Sequence, residues 1–171
     1  AQVAQRSVVL LQNEGGLLPL AATGGRLAVL GPGAAVGVLS GGGSSTVTPP
    51  GSVTEEGWGI PQMPFPKVHH PPSPLAALVS AFPQREVVHL GMDASGLRPD
   101  DVAVVIAEKW ATEGLDAADL RLGEGQDELI AMAAGTAAYT VVALTTAGPV
   151  LMPWRGRVDA VLAAWYGGSH G

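Results

Sequence analysis

The 171-residue sequence has no cysteine, only 5% aromatic residues and only 14% charged ones. Without cysteine, disulfide frameworks, thiolate metal sites and thiol nucleophiles are excluded, while the compartment stays open between cytoplasmic and secreted. Lys and Arg number 9 against 15 Asp and Glu, for a formal charge of −6, and they form no cluster that could follow a phosphate backbone. Nucleic acid is therefore not an expected partner. The longest apolar runs, Val102 to Ala107 and Val158 to Tyr166 with its lone Asp159, fall short of the roughly 20 residues of a membrane-spanning helix. A soluble protein with no membrane partner is expected. Arg outnumbers Lys seven to two, and Ala, Gly and Pro abound, which reads as coding bias rather than chemistry. The chain starts at Ala1 with neither Met nor a leader of targeting type, and is expected to be a piece of something longer.

What is present is a hydrophobic content of 47%, enough for one globular domain with a substantial core. Gln2 to Leu11 has Val3, Ser7, Leu10 and Leu11 at helical spacing and predicts a first helix, ended by Asn13-Glu14-Gly15-Gly16. Arg26 to Leu30 predicts a short buried strand stopped by Gly31-Pro32-Gly33. From Ala34 to His70 the sequence is rich in Gly, Ser, Thr and Pro, without sustained period, and predicts a long loop. Ser73-Pro74 makes a helix start, Ser as N-cap and Pro at the first helical position, leading into Leu75, Leu78, Val79 and Phe82. Glu86 to Leu90 is the next strand. Asp101 to Ala107 is the clearest buried strand, continuously apolar as in a parallel sheet covered on both faces. A polar loop, Glu108 to Glu124, precedes a helix from about Gly125 to Ala138 with Leu129, Ile130 and Ala133 on one side. Tyr139 to Leu144 is a further strand, and Val158 to Trp165 fits either a strand or a helix-to-strand segment. No internal repeat or linker is visible. The alternation predicts an α/β fold, a mostly parallel sheet with helices on both sides.

Ligands of such sheets gather beyond the carboxyl ends of the strands, which singles out three loops: Gly31 to Ser45, Glu108 to Gly123 and Thr145 to Trp154. The run Gly31-Pro32-Gly33-Ala34-Ala35-Val36-Gly37 misses the dinucleotide fingerprint, because its third Gly falls one residue late and Pro32 removes a backbone donor. No Gly-Lys-Ser/Thr follows any glycine loop, so a P-loop is excluded. Gly41 to Gly43 with Ser44 and Ser45 either brings backbone close to a ligand or is a flexible turn. His69, His70, His89 and His170 lack metal-site spacing and read as surface or capping residues. Serine catalysis finds no Gly-x-Ser-x-Gly elbow, and Gly167-Gly168-Ser169-His170 lies at the end of the sequence. The loop Glu108-Lys109-Trp110-Ala111-Thr112-Glu113-Gly114-Leu115-Asp116 places three carboxylates and a Trp after the most buried strand. Carbohydrate chemistry uses such a set, an acid to protonate a leaving oxygen and an aromatic face to stack on a sugar ring. The same composition also suits an ordinary solvated acidic loop.

Taken in order along the chain, these segments resemble a known family. Gln5-Arg6-Ser7-Val8-Val9-Leu10-Leu11-Gln12-Asn13-Glu14 with Leu17-Leu18-Pro19-Leu20 resembles the start of the second, α/β-sandwich domain of glycoside hydrolase family 3, the β-glucosidase and β-xylosidase group. Leu27 to Pro32 looks like that domain's first strand and turn, and Gly41-Gly42-Gly43-Ser44-Ser45 with Val47 and Pro49 like its glycine-serine loop. Glu113-Gly114-Leu115-Asp116, Leu120, Leu122, Gln126 and Leu129-Ile130 are similar to its acidic loop and following helix. Gly148 to Trp154 and Ala163 to Gly168 match its later strands. Gln12 stands where Lys is common, Gly123 where Pro is common, and Glu55 to Pro72 does not align.

The resemblance implies a three-layer α/β/α sandwich with a mostly parallel sheet, a single domain over 1–171 that is the second of two, its barrel domain absent. It implies hydrolysis of terminal β-linked sugars with retention, by an Asp nucleophile from the preceding barrel and an acid/base Glu from this domain, matched by Glu113. Glu108 and Asp116 are assigned to orienting the loop, and Gly42, Gly43, Ser44, Ser45 and Trp110 to the substrate. For Trp110, packing at the domain interface is an equal alternative. The glycine-serine loop looks more like β-glucosidases than β-xylosidases, so the implied partners are a β-linked glucoside or oligosaccharide and the barrel domain; no cofactor and no metal are implied. As a general acid Glu113 must hold a proton near neutral pH, which needs partial burial or a negative neighbour, and the nucleophile would supply that charge. The chain alone is expected to be inactive. The alternative is a non-catalytic module that binds carbohydrate or a partner chain.

Overall fold

The computed structural model describes residues 2–60, 63–70 and 73–168; Ser169 and His170, weighed above, lie outside them, as does the side chain of His70. In chain order the elements are α1 (Gln2–Ser7), β1 (Val9–Asn13), β2 (Leu27–Leu30), β3 (Gly37–Val38), β4 (Val53–Ile60), β5 (Met63–His70), α2 (Pro74–Ala81), β6 (Val87–Gly91), β7 (Val102–Lys109), α3 (Gln126–Thr136), β8 (Tyr139–Thr146) and β9 (Ala160–Ala163). Six strands form one sheet in the order β1-β9-β8-β7-β2-β6. Five of them run parallel, and β1 alone is antiparallel, against β9.

The apolar runs become the middle of this sheet for the reason their continuity suggests. β2 is buried at all four positions and β7 at seven of eight, because helices and loops cover both faces. Alternate residues serve alternate sides: Ala28, Leu30, Ala103 and Val105 pack with Leu129, Ile130 and Ala133 of α3, whereas Val29, Val104 and Ile106 pack with Leu75 and Leu78 of α2. The result is the expected three-layer α/β/α sandwich. α2 starts as its sequence requires, with the Ser73 hydroxyl accepting the Ala76 N–H at 3.2 Å and Pro74 at the first helical position. At the amino end of β7 the buried Asp101 receives Arg26 through two bonds of 2.8 and 2.7 Å, which ties β2 to β7.

Three sequence expectations are corrected. The predicted helix over Gln2 to Leu11 stops at Ser7, and Val9 to Asn13 is a strand. Val8 and Val9 are β-branched, and pairing with β9 (Val9 opposite Ala163, Leu10 opposite Leu162) outweighs a helical period. The predicted loop of Ala34 to His70 contains a second sheet, in the order β3-β5-β4. Gly57, Gly59, Pro64 and Pro66 disguise β4 and β5; among the described residues β3 pairs with His69 and His70, and no strand pairs with Pro64 and Pro66 on that side of β5, where prolines are tolerated. The loop thought to begin at Glu108 begins after Lys109, since Glu108 and Lys109 pair with Thr145 and Thr146 of β8. Val158 to Trp165 resolves into β9 over Ala160–Ala163. No helix among the described residues is long and apolar enough to cross a membrane.

Candidate active site

The three loops singled out by sheet topology meet at the carboxyl ends of β2, β7 and β8. Between them lies an open cavity of about 560 Å³, to which the first loop brings Gly41 and Ser45, the second Thr112 and Glu113, and the third Ala147. Thr146, the last residue of β8, and Tyr166, shortly after β9, also line it. The first two loops are joined by backbone bonds. Gly42 N–H donates to the Ala111 carbonyl at 3.0 Å, and Glu113 N–H donates back to the Gly42 carbonyl at 3.4 Å.

Glycine is required for that approach. A Cβ on Gly42 would stand 2.5 Å from both Trp110 Cζ2 and Thr112 Oγ1, and one on Gly43 would stand 2.6 Å from the Glu113 Cβ. Gly43 also has φ +73°, in the left-handed region where a side chain is strained. From the turn over Gly43–Ser45, Ser44 N–H donates to Glu113 Oε2 at 2.8 Å. Ser45 serves the turn itself, its hydroxyl donating to the Gly42 carbonyl at 2.9 Å.

Glu113 is exposed at the lip of the cavity. Hydrogen bonds from the Ser44 side chain and then its backbone N–H hold the carboxyl below the usual glutamate range, against a small opposing effect of burial. In this chain the group is a carboxylate at neutral pH. The negative neighbour that would retain a proton is not supplied by the described residues of the cavity wall.

The remaining sequence-singled residues divide. Asp116 is exposed, three residues beyond Glu113. Glu108 is buried and forms an ion pair with Lys67 of β5, while its backbone exchanges hydrogen bonds with the Gln126 side chain, both at 2.9 Å. The pair fastens the small sheet to the end of β7, directly beneath the acidic loop. Trp110 is half-buried and lines a neighbouring cavity of about 250 Å³ with Lys67, Glu108 and Gln126, rather than the one that Glu113 faces. His69 meets Glu55 at 3.2 Å. Among the described residues no group of three or more His, Cys, Asp or Glu is placed to hold a metal ion.

Sequence reasoning passed over Tyr166, Thr112 and Lys67. Each meets a segment far away in the chain, Tyr166 at Ala111, Lys67 at Glu108 and Thr112 through a backbone bridge to Gly42, so no local spacing could announce them.

The fold recurs in solved proteins. A β-D-glucoside glucohydrolase from Trichoderma reesei superimposes with a TM-score of 0.75 at 20% identity, over 97% of this chain and 26% of that one, a likeness of fold. A family 3 β-glucosidase from Bifidobacterium adolescentis gives 0.73 at 25% identity, over 99% of this chain and 24% of that one. In sequence, thermostable β-glucosidase B from Acetivibrio thermocellus is 33% identical over 173 aligned residues, 98% of this chain and 22% of the relative. A β-glucosidase from Rhizobium radiobacter is 46% identical over 76 residues, 43% of this chain and 9% of the relative. The chain thus spans about a fifth or less of the curated relatives it matches. Residues 8–171 match the glycosyl hydrolase family 3 C-terminal domain, and the chain belongs to that family.

Proposed function

We propose that this chain is the carbohydrate-active domain of a retaining β-glycosidase of β-glucosidase kind, a single domain over 1–171 that works with a barrel domain of the same enzyme. Glu113 is its general acid/base. It protonates the glycosidic oxygen as the bond to the sugar breaks and an Asp of the barrel forms the glycosyl-enzyme, then takes a proton from the water that releases the sugar. The observation that carries this reading is the placement of Glu113: an exposed carboxylate, fixed by the Ser44 N–H, at the open mouth of the cavity beyond the strand ends. Asp101, by contrast, is buried and held by Arg26 and Arg98.

The depressed proton affinity of Glu113 fits a half-site. Retaining hydrolases hold their two carboxyl groups about 5–5.5 Å apart. At that distance the nucleophile's charge, with the water excluded by docking, opposes the Ser44 bonds and raises the Glu113 pKa toward neutrality. An apolar face beside the cavity suits the docking: Val9, Leu10, Leu11 and Trp165 are each at least 39% exposed, and Trp165 and Thr146 line both the catalytic cavity and an apolar one of about 330 Å³ against β1. The Gly42 to Ser45 turn would lie on the leaving-group side, with Trp110 packing beneath the loop.

The test joins the chain to its barrel and follows hydrolysis of aryl β-glucosides. Glu113→Ala should lower kcat about 10²- to 10⁴-fold on substrates with poor leaving groups. It should spare activated ones once azide replaces the missing base. Unchanged rates on poor leaving groups would remove Glu113 from the acid role, and carbohydrate binding without any hydrolysis would favour the binding-module alternative.

A further inference from the structure

Beyond Glu113 itself, the loop that carries it is braced by a side chain from the far end of the chain, Tyr166. Tyr166 follows β9 and is half-buried against the loop. Its hydroxyl accepts the Ala111 N–H at 2.9 Å and donates to the Lys109 carbonyl at 3.0 Å, so one oxygen clasps both sides of the bend at Trp110. From Ala111 the bonds run on: the Ala111 carbonyl accepts the Gly42 N–H, the Gly42 carbonyl accepts the Glu113 N–H, and the Glu113 carboxylate accepts the Ser44 N–H.

The chain is bent to deliver this hydroxyl. Trp165, just before it, has φ +57°, a conformation that is a genuine outlier for a bulky residue and persists only where surroundings enforce it. Those surroundings are visible on either side: Ala164 N–H donates to the Leu144 carbonyl at 2.8 Å, the Trp165 indole N–H to the Ser7 carbonyl at 3.0 Å, and Gly168 N–H to the Leu39 carbonyl at 3.2 Å.

We infer that Tyr166 is a positioning residue for Glu113: by clasping Lys109 and Ala111 it sets, through Gly42, where the Glu113 carboxylate stands. Burial first, with the nearby Glu108 charge adding, pushes the phenol up to about 12, so the hydroxyl keeps its proton and its donor role over the whole working range. The positioning itself is a property of this chain; its effect on turnover rests on the acid/base reading above.

The test compares Tyr166→Phe with Tyr139→Phe, a change at the exposed tyrosine at the start of β8. A carbon-13 titration of the Glu113 carboxyl in this chain should show its pKa moving up toward the ordinary glutamate value in Tyr166→Phe and unmoved in Tyr139→Phe. A folded Tyr166→Phe with an unmoved Glu113 titration overturns the inference. Should the variant not fold, amide exchange in the unaltered chain decides: Ala111 N–H has the Tyr166 hydroxyl as its acceptor and should exchange about tenfold or more below the unstructured rate. Unstructured exchange at Ala111 overturns the inference. In the barrel-joined enzyme, Tyr166→Phe should lower kcat about tenfold on poor leaving groups and leave KM within about twofold, as expected of a displaced acid. If Glu113→Ala proves harmless while Tyr166→Phe still shifts the Glu113 titration, the functional reading fails and the positioning stands.

Discussion

At its amino end β7 meets Asp101, which is fully buried and receives two bonds from Arg26 and a third from the Arg98 N–H at 2.8 Å. Beyond its carboxyl end the chain reaches Glu113, which is exposed and held by Ser44 on one side of the carboxylate. Both carboxyls are held below their ordinary pKa, but differently. Burial alone would raise Asp101, and the bonds and charges of Arg26 and Arg98 overcome it; at Glu113 the Ser44 bonds act against almost no burial. A carboxylate saturated by donors inside the protein is committed to stability. One held by a single turn at a cavity mouth keeps its proton affinity open to whatever docks there.

The sharpest way to break this contrast is at the closed end. Arg26→Met leaves Asp101 buried without its cation and should cost about 3–5 kcal/mol in denaturant unfolding, while the Glu113 titration at the far end of the strand stays as it was. The sign of the pH dependence follows from the lowered folded pKa of Asp101. Its stabilisation is fully present above the unfolded carboxylate value of about 3.9 and is lost as the pH falls through the folded value. The acid limb of a stability profile should therefore flatten in Arg26→Met. Gly43→Ala probes the open end with a smaller effect, about 1–3 kcal/mol, because it forces a side chain into a left-handed conformation and against the Glu113 Cβ. It should also raise the Glu113 pKa by spoiling the Ser44 contact, read by the same titration. Least of all, Glu113→Gln should leave the thermal midpoint where it is. A large loss there would mean that the open end is a structural device like the closed one.

Much of the architecture was legible before any tertiary contact was known. Leu27 to Leu30, Val102 to Ala107 and Tyr139 to Leu144 read as buried parallel strands because both faces had to be apolar, and Ser73-Pro74 announced α2 through capping chemistry that acts within four residues. β1 was misread because Val9 to Asn13 owes its form to β9, about 150 residues away. β4 and β5 escaped because their prolines and glycines speak against strands, and only their mutual pairing makes them so. For the candidate site, Glu113 and the glycine-serine turn were assigned only through the resemblance to the family; Tyr166, Thr112 and Lys67 were not, because their partners lie far away in the chain.

What the sequence by itself determined is the layered sheet and the three loops that had to gather at its carboxyl ends, since periodicity and capping are short-range physics carried by neighbouring residues. What only the tertiary structure decided is the character of each acid: Asp101 closed by Arg26, Glu108 tied to Lys67, and Glu113 left open on Ser44 within a loop clasped by Tyr166. Those differences rest on hydrogen-bond partners brought from 41 to 75 residues away, the 55 between Tyr166 and Ala111 among them, and the energy of a charge depends on the groups that surround it in space rather than on those beside it in the chain.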